Sequence, residues 1–192
     1  MKYPIVEVFT SIQGEGLYTG APANFIRLAG CNLSCAFCDT DKEAKEELAP
    51  KEILERLDPA VQIVVITGGE PTTHDLGELT KALNGRHRIH LETNGTNDIV
   101  LSTQFKYDWI SVSPKRDAEV LLSYADEAKW LIPEWDYEDI DWDISERHYL
   151  QPVNFEKTLN MRNVDLCKYL LTEHPRSDLR LSIQLHKVIS VR

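Results

Sequence analysis

Residues 62–72, Gln-Ile-Val-Val-Ile-Thr-Gly-Gly-Glu-Pro-Thr, restrict the fold more than any other part of the chain. Ile63 to Ile66 are all β-branched and leave no polar face, the pattern of a strand covered on both sides in a parallel sheet. A glycine pair and an acid follow at once, so the strand ends in a polar segment. The arrangement recurs along the chain. A strand over 23–29 runs into Cys31, one over 88–92 into Thr93-Asn94-Gly95, one over 109–112 into Ser113-Pro114-Lys115, and one over 148–150 into Gln151-Pro152. In α/β folds such strand ends gather at one edge, where ligands bind, although each segment alone also reads as an ordinary turn.

The intervening stretches predict helices from Pro50, with Ile53, Leu54 and Leu57 on one face, and over 76–84, with Gly85 as its cap. A longer helix is expected over 154–173, its stripe formed by Phe155, Leu159, Val164, Cys167, Leu170 and Leu171. A first strand over 5–9 and a closing strand over 181–185 complete the pattern. With 192 residues the chain suits one domain, 1–192, and falls short of the roughly 250 typical of a full eightfold barrel. The expected class is α/β: an abbreviated, partly open (β/α) barrel of about six mainly parallel strands.

Cys31, Cys35 and Cys38 stand in C-x3-C-x2-C spacing, which lets one short loop aim three sulfurs at a common point. Three thiolates suit an iron–sulfur cluster with one iron open to a further ligand. Zinc completed by Asp39, His74 or Cys167 is the alternative, and unligated thiols a third. Cys167, in an apolar helical setting, reads as core. Arg27 is the one charge among Phe25, Ile26 and Leu28, so it needs an anionic partner, either an internal carboxylate or a ligand's. Glu70 offers a carboxylate to an ammonium group, and Gly14 and Gly16 permit close approach to a ligand or simply a turn. Glu92 and Asn94 suit a ribose hydroxyl or the capping of a turn.

The formal net charge of −10 argues against a broad nucleic-acid surface and favours a small-molecule substrate. Residues 134–146 hold seven acids, leaving −3 for the rest, and read as an acidic surface excursion. Its Trp135, Tyr137 and Trp142 offer a docking surface as the alternative. No apolar run approaches the ~18 residues of a membrane span, and clustered thiols point away from an oxidising compartment, so a cytoplasmic protein is expected.

The cysteine loop resembles the signature of the radical S-adenosylmethionine (SAM) superfamily. Its flanks, Phe9-Thr10-Ser11-Ile12-Gln13-Gly14-Glu15-Gly16, Phe25-Ile26-Arg27-Leu28 and Asp39-Thr40, are similar to those of the 7-carboxy-7-deazaguanine synthase family. The resemblance extends to Gln184-Leu185-His186-Lys187. It implies a radical SAM barrel and a 4Fe-4S cluster on Cys31, Cys35 and Cys38, with SAM contacted by Phe37, Cys38, Asp39, Gly69, Glu70, Ser113, Pro114, Lys115 and Gln151. It also implies a Mg2+ ligand in Thr40, for which an N-cap role of Thr40 or Asp39 is the competing explanation. Substrate contacts by Ile12, Gln13, Gly14, Arg27 and Thr67 follow in the same way.

The implied reaction is a lyase step in queuosine biosynthesis: 6-carboxy-5,6,7,8-tetrahydropterin contracts to 7-carboxy-7-deazaguanine and loses ammonia, after hydrogen abstraction from carbon 6. An unidentified electron donor and a homodimer are implied as well. A glycyl-radical enzyme activase shares the cysteine spacing, and a zinc module docking a partner through the acidic excursion is the rival from another class.

Overall fold

A computed structural model of the chain describes residues 1–98, 106–155 and 157–191. The chain divides into two compact units, the first comprising Met1–Ile12, Pro22–Thr93 and Asn97–Ile110, the second Gln13–Ala21, Asn94–Thr96 and Ser111–Arg192.

In the first unit, β1 (Tyr3–Ile12), β2 (Pro22–Leu28) and β3 (Glu46–Leu48) precede the short α1 (Pro50–Leu54). Then come β4 (Ile63–Gly68), α2 (Gly77–Leu83) and β5 (Arg88–Thr93). The strands lie in the order β3-β1-β2-β4-β5. β1 is antiparallel to both neighbours, whereas β2, β4 and β5 run parallel, with Leu28 opposite Gly68. Ile63, Val64, Val65 and Ile66 are all buried, as an unbroken β-branched run requires. Alternation sends Val64 and Ile66 to the face covered by Ile53 of α1 and by Leu79 and Leu83 of α2, where Ile26, Leu28, Ile89 and Leu91 join them in one core. Each fully buried Leu or Ile there contributes about 1.5–3 kcal/mol, so the core fixes the register that carries the strand ends.

The second unit holds the loop 13–21, β7 (Glu127–Ile132), β8 (His148–Pro152), α3 (Met161–Glu173), β9 (Leu179–Leu181) and α4 (Leu185–Val188). β6 (Trp109–Val112) crosses the division, and its Ser111 and Val112 pair with Glu127 and Ala128 of β7. β6, β7, β8 and β9 are mutually parallel. Among the described residues neither run of strands closes on itself.

Among the described residues nine strands thus stand where six or so were expected. The addition with most consequence is β7, whose Glu127 and Lys129 interrupt the apolar run Ala128, Trp130 and Ile132. Both charges are buried nonetheless. The closing strand lies earlier than expected, at Leu179–Leu181, and the segment expected to extend it turns into α4. α3 begins at Met161 instead of 154, because Phe155 is exposed and has no core to face. The acidic stretch is pinned by buried Ile140 and Ile144, while most of its acids face solvent.

Candidate active site

The parallel strands of the first unit end along one edge, and three sequence motifs meet there. Gly69 N–H donates to the Leu28 carbonyl (3.2 Å) and Glu70 N–H to that of Gly30 (2.9 Å). These bonds clip the glycine pair to the start of the cysteine loop. A Cβ on Gly69 would lie 1.8 Å from the Gly30 oxygen and 2.9 Å from the Cys31 Cβ, so the contact exists only because residue 69 has no side chain. The loop is closed at its base by Gly30 N–H donating to the Lys42 carbonyl (3.0 Å), and Lys42 Nζ donates to the Leu33 carbonyl (3.1 Å).

Cys31 and Cys35 are half-buried and Cys38 is exposed, all three as free thiols. The Cys31 sulfur accepts the Leu33 N–H (3.4 Å), and Cys38 N–H donates to the Cys35 carbonyl (3.2 Å). Among the described residues no three His, Cys, Asp or Glu side chains gather tightly enough to share one ion. Three free thiols on one loop, with no side chain at Gly69 beside Cys31, are a donor set that fits an iron–sulfur cluster. Cys167 is fully buried, and burial pushes its thiol up to about 12, as a core residue's should be. Phe37 and Thr40 are half-buried and Asp39 is exposed. The residues directly after Thr40 are not helical, and the next element is the strand β3, which removes the N-cap explanation.

Glu70 is 1% exposed. Its Oε1 accepts bonds from Thr72 N–H (3.0 Å), Thr72 Oγ1 (2.6 Å) and Thr93 Oγ1 (2.7 Å), and Asn97 Nδ2 donates to Thr72 Oγ1 (3.0 Å). A buried carboxylate needs such donors. Thr72 and Thr93 were not singled out by sequence, since a threonine after a strand usually caps a turn.

Arg27 stands opposite Glu7 on one side and Thr67 on the other, so the three form a row across β1, β2 and β4. Glu7 Oε1 accepts from Arg27 Nε at 2.8 Å, with both side chains largely shielded at 24% and 20% exposed. The other guanidinium N–H groups form no hydrogen bond among the described residues. Phe9 and Phe25 stack on the same face, ring centroids 5.0 Å apart. An aromatic floor beside a fixed arginine and a hydroxyl suits a flat, carboxylated heterocycle. Ile12 alternates onto the opposite face of β1.

The second unit carries the remaining predicted residues. Gln13 is buried, and its Oε1 accepts from Gly14 N–H (2.8 Å). Lys115 Nζ donates to the Ser113 hydroxyl (2.9 Å) and to its carbonyl. Trp135 Nε1 donates to the Pro114 carbonyl (3.1 Å), and Arg116 is paired with Asp136 (2.8 Å) and Asp139 (3.0 Å). The acidic stretch therefore braces residues 113–116. Its aromatics are engaged internally: Trp135 packs edge-on against Trp130, and Trp142 lies against Tyr137, His148 and Arg176. Buried Gln151 accepts from Ser182 Oγ (3.0 Å). Asn94 caps its own turn, accepting from Thr96 N–H (2.9 Å).

Residues 25–138 match the family model described as the radical SAM superfamily. A 7-carboxy-7-deazaguanine synthase of Synechocystis sp. is 38% identical over the whole chain and 95% of its own length. That of Bacteroides thetaiotaomicron is 37% identical over the full length of both. The chain belongs to the 7-carboxy-7-deazaguanine synthase family. Among solved structures, the crystal structure of QueE from Escherichia coli superposes with a TM-score of 0.75 at 30% identity, covering 97% of this chain and 95% of that one. The crystal structure of Streptococcus suis SuiB, 17% identical with a TM-score of 0.51, shares the fold over 85% of this chain and 48% of its own. The fold is thus the mainly parallel α/β sheet of radical SAM proteins, as members of the 7-carboxy-7-deazaguanine synthase family have it.

Proposed function

We propose that the chain catalyses the ring contraction of 6-carboxy-5,6,7,8-tetrahydropterin to 7-carboxy-7-deazaguanine, a lyase reaction releasing ammonia within queuosine biosynthesis. The observation that carries the reading is the clipping of Gly69-Glu70 onto Gly30-Cys31, which sets a buried carboxylate beside the three-thiol loop. Cys31, Cys35 and Cys38 would hold a 4Fe-4S cluster. The cluster and SAM, when bound, supply one-electron, hydrogen-abstracting chemistry.

The chain's own residues bind and orient. Glu70 receives the amino group of SAM, with Phe37, Cys38, Asp39, Gly69, Ser113, Pro114, Lys115 and Gln151 completing its contacts. Arg27, its Nε already held by Glu7, offers the remaining N–H groups to the pterin carboxylate, and Thr67 beside it offers a hydroxyl. Phe9 and Phe25 keep water from that face. Gln13 and Gly14 contact the pterin ring, whereas Ile12, on the opposite face of β1 from Phe9, stays out of that contact. Thr40 would be the residue that holds Mg2+, which would supply positive charge for the substrate carboxylate. We take residues 1–192 as one radical SAM domain acting in the cytoplasm as a homodimer fed by a separate electron donor. No helix among the described residues is long and apolar enough to cross a membrane.

Anaerobic incubation of the reconstituted protein with pterin, SAM and reductant, followed by product mass, tests the reading. The mass of 7-carboxy-7-deazaguanine is expected, and SAM cleavage without any change in the pterin would refute it.

A further inference from the structure

Lys129 lies in the interior of β7, its side chain 4% exposed, and its Nζ donates to Glu15 Oε2 at 2.8 Å. Glu15 belongs to the 13–16 loop and is 17% exposed. Gln184 Nε2 donates to its other oxygen, Oε1, also at 2.8 Å. The carboxylate is thus fixed in direction from two elements at once. Burial pushes the Glu15 carboxyl up, but Lys129, Gln184 and the charge of His186 pull it down further, so it is ionised and held well below the usual carboxylate range.

The loop around Glu15 is closed at its base by Gln13 N–H donating to the Ala21 carbonyl (2.7 Å) and Gly20 N–H to that of Gln13 (2.8 Å), while Gly14 and Gly16, the latter at φ 66°, leave the stretch beside Glu15 conformationally free. That stretch is also bonded outward. Leu17 N–H donates to Glu127 Oε2 (2.8 Å), Gly16 N–H to Ser182 Oγ (3.2 Å), and the Gly14 carbonyl accepts from Leu185 N–H (2.9 Å). A Cβ on Gly14 would fall 2.1 Å from His186 Nδ1, and one on Gly16 would fall 2.1 Å from Glu127 Oε1. β7 grips the loop from one side and residues 182–186 from the other.

A buried ion pair is a poor way to gain net stability, because desolvation offsets most of the attraction and packed apolar side chains serve as well. Directional hold is what it adds. We propose that Lys129, through Glu15, is a positioning residue that sets Gln13 and Gly14 for the pterin; the pterin part rests on the function proposed above. Neither Lys129 nor Glu15 touches the reacting atoms in this scheme, and SAM binding does not depend on them.

The test compares Lys129→Met and Lys129→Arg in the full, reconstituted protein. Misplacement of a binding loop costs about 10- to 100-fold, so Lys129→Met is expected to raise the KM for pterin by about that factor. The KM for SAM and the iron content should stay within about twofold, and Lys129→Arg should recover most of the loss. Equal rises in both KM values, an unchanged pterin KM, or no recovery by arginine would overturn the proposal. Should Lys129→Met not fold, Glu15→Gln keeps the shape without the charge and is held to the same split.

Hydrogen exchange provides a readout independent of turnover. The amides of Gly14, Gly16 and Leu17 are expected to exchange at least about tenfold faster in Lys129→Met, while those of β4 stay protected. Unaltered loop exchange would overturn the clamp even in a protein that never converts the pterin. A parent protein inert toward the pterin, with loop exchange still dependent on Lys129, would sink the functional reading alone.

Discussion

Thr93→Val removes one hydroxyl and almost nothing else. Valine keeps the volume and the branching that suit the end of β5, and residue 93 is buried. The hydroxyl lost is one of the donors described on Glu70 Oε1, at 2.7 Å, and a hydrogen bond to a charged group contributes about 1.5–3 kcal/mol. Thr72 keeps its two bonds to the same oxygen, with its hydroxyl steered by Asn97, so the lower end of that range applies. If the bond orients Glu70 toward an ammonium group, the loss falls on ligand binding, and about 1.5 kcal/mol corresponds to roughly a tenfold weaker affinity for SAM. The pterin KM should not change. Equilibrium binding of SAM to the anaerobic, reconstituted variant measures the first quantity, and a melting curve measures the cost to the fold. A variant that melts several degrees lower yet binds SAM within about twofold of the parent would refute the argument, since Thr93 would then only hold the fold together.

Three further outcomes are expected. Burial, reinforced by the charge of Arg88, lowers the His90 imidazole to about 4, so between that value and the ordinary 6.5 the unfolded chain binds more protons and stability falls as pH falls. Between pH 7 and pH 5 the loss is about 2 kcal/mol; anaerobic urea unfolding of the parent against His90→Gln reads it, and parallel curves for the two would contradict it. Cys35→Ala should lose cluster iron and turnover together while Cys167→Ala retains both, and equal iron loss in the two variants would overturn the ligand set. Trp135→Phe removes the bond to the Pro114 carbonyl and is expected to weaken SAM affinity by about threefold, with pterin KM unaffected. The same binding titration checks it, and a change in the pterin KM alone would count against it.

The parts of the fold that could be read ahead were those whose meaning is local. β4 and β6 are short apolar runs ended by polar residues, and β6 appears with the bounds its sequence predicts, Trp109–Val112. β7 was not legible, because Glu127 and Lys129 look like solvent-facing charges until partners more than 100 residues away, Leu17 and Glu15, are brought against them. The same limit applies to the site. An arginine in an apolar strand announces that it needs an acid, and Arg27 has one: Glu7 takes Nε, the internal-carboxylate reading, while the ligand reading of its other N–H groups belongs to the proposed function. Glu70 was found from its glycine neighbours, whereas Thr72 and Thr93 emerge only when β4 and β5 end side by side. The acidic stretch gave no sign in its composition that Arg116 and Trp135 would tie it to residues 113–116.

Cys167 has a practical corollary. Its thiol is fully enclosed and, at about 12, carries essentially no thiolate at neutral pH, so alkylating reagents pass it by. Only the trio on the 31–38 loop is open to them. Under the proposed ligand set, the number of labels taken up per native chain, counted by mass, becomes an inverse gauge of metallation: three on a bare polypeptide, none on one that carries its cluster.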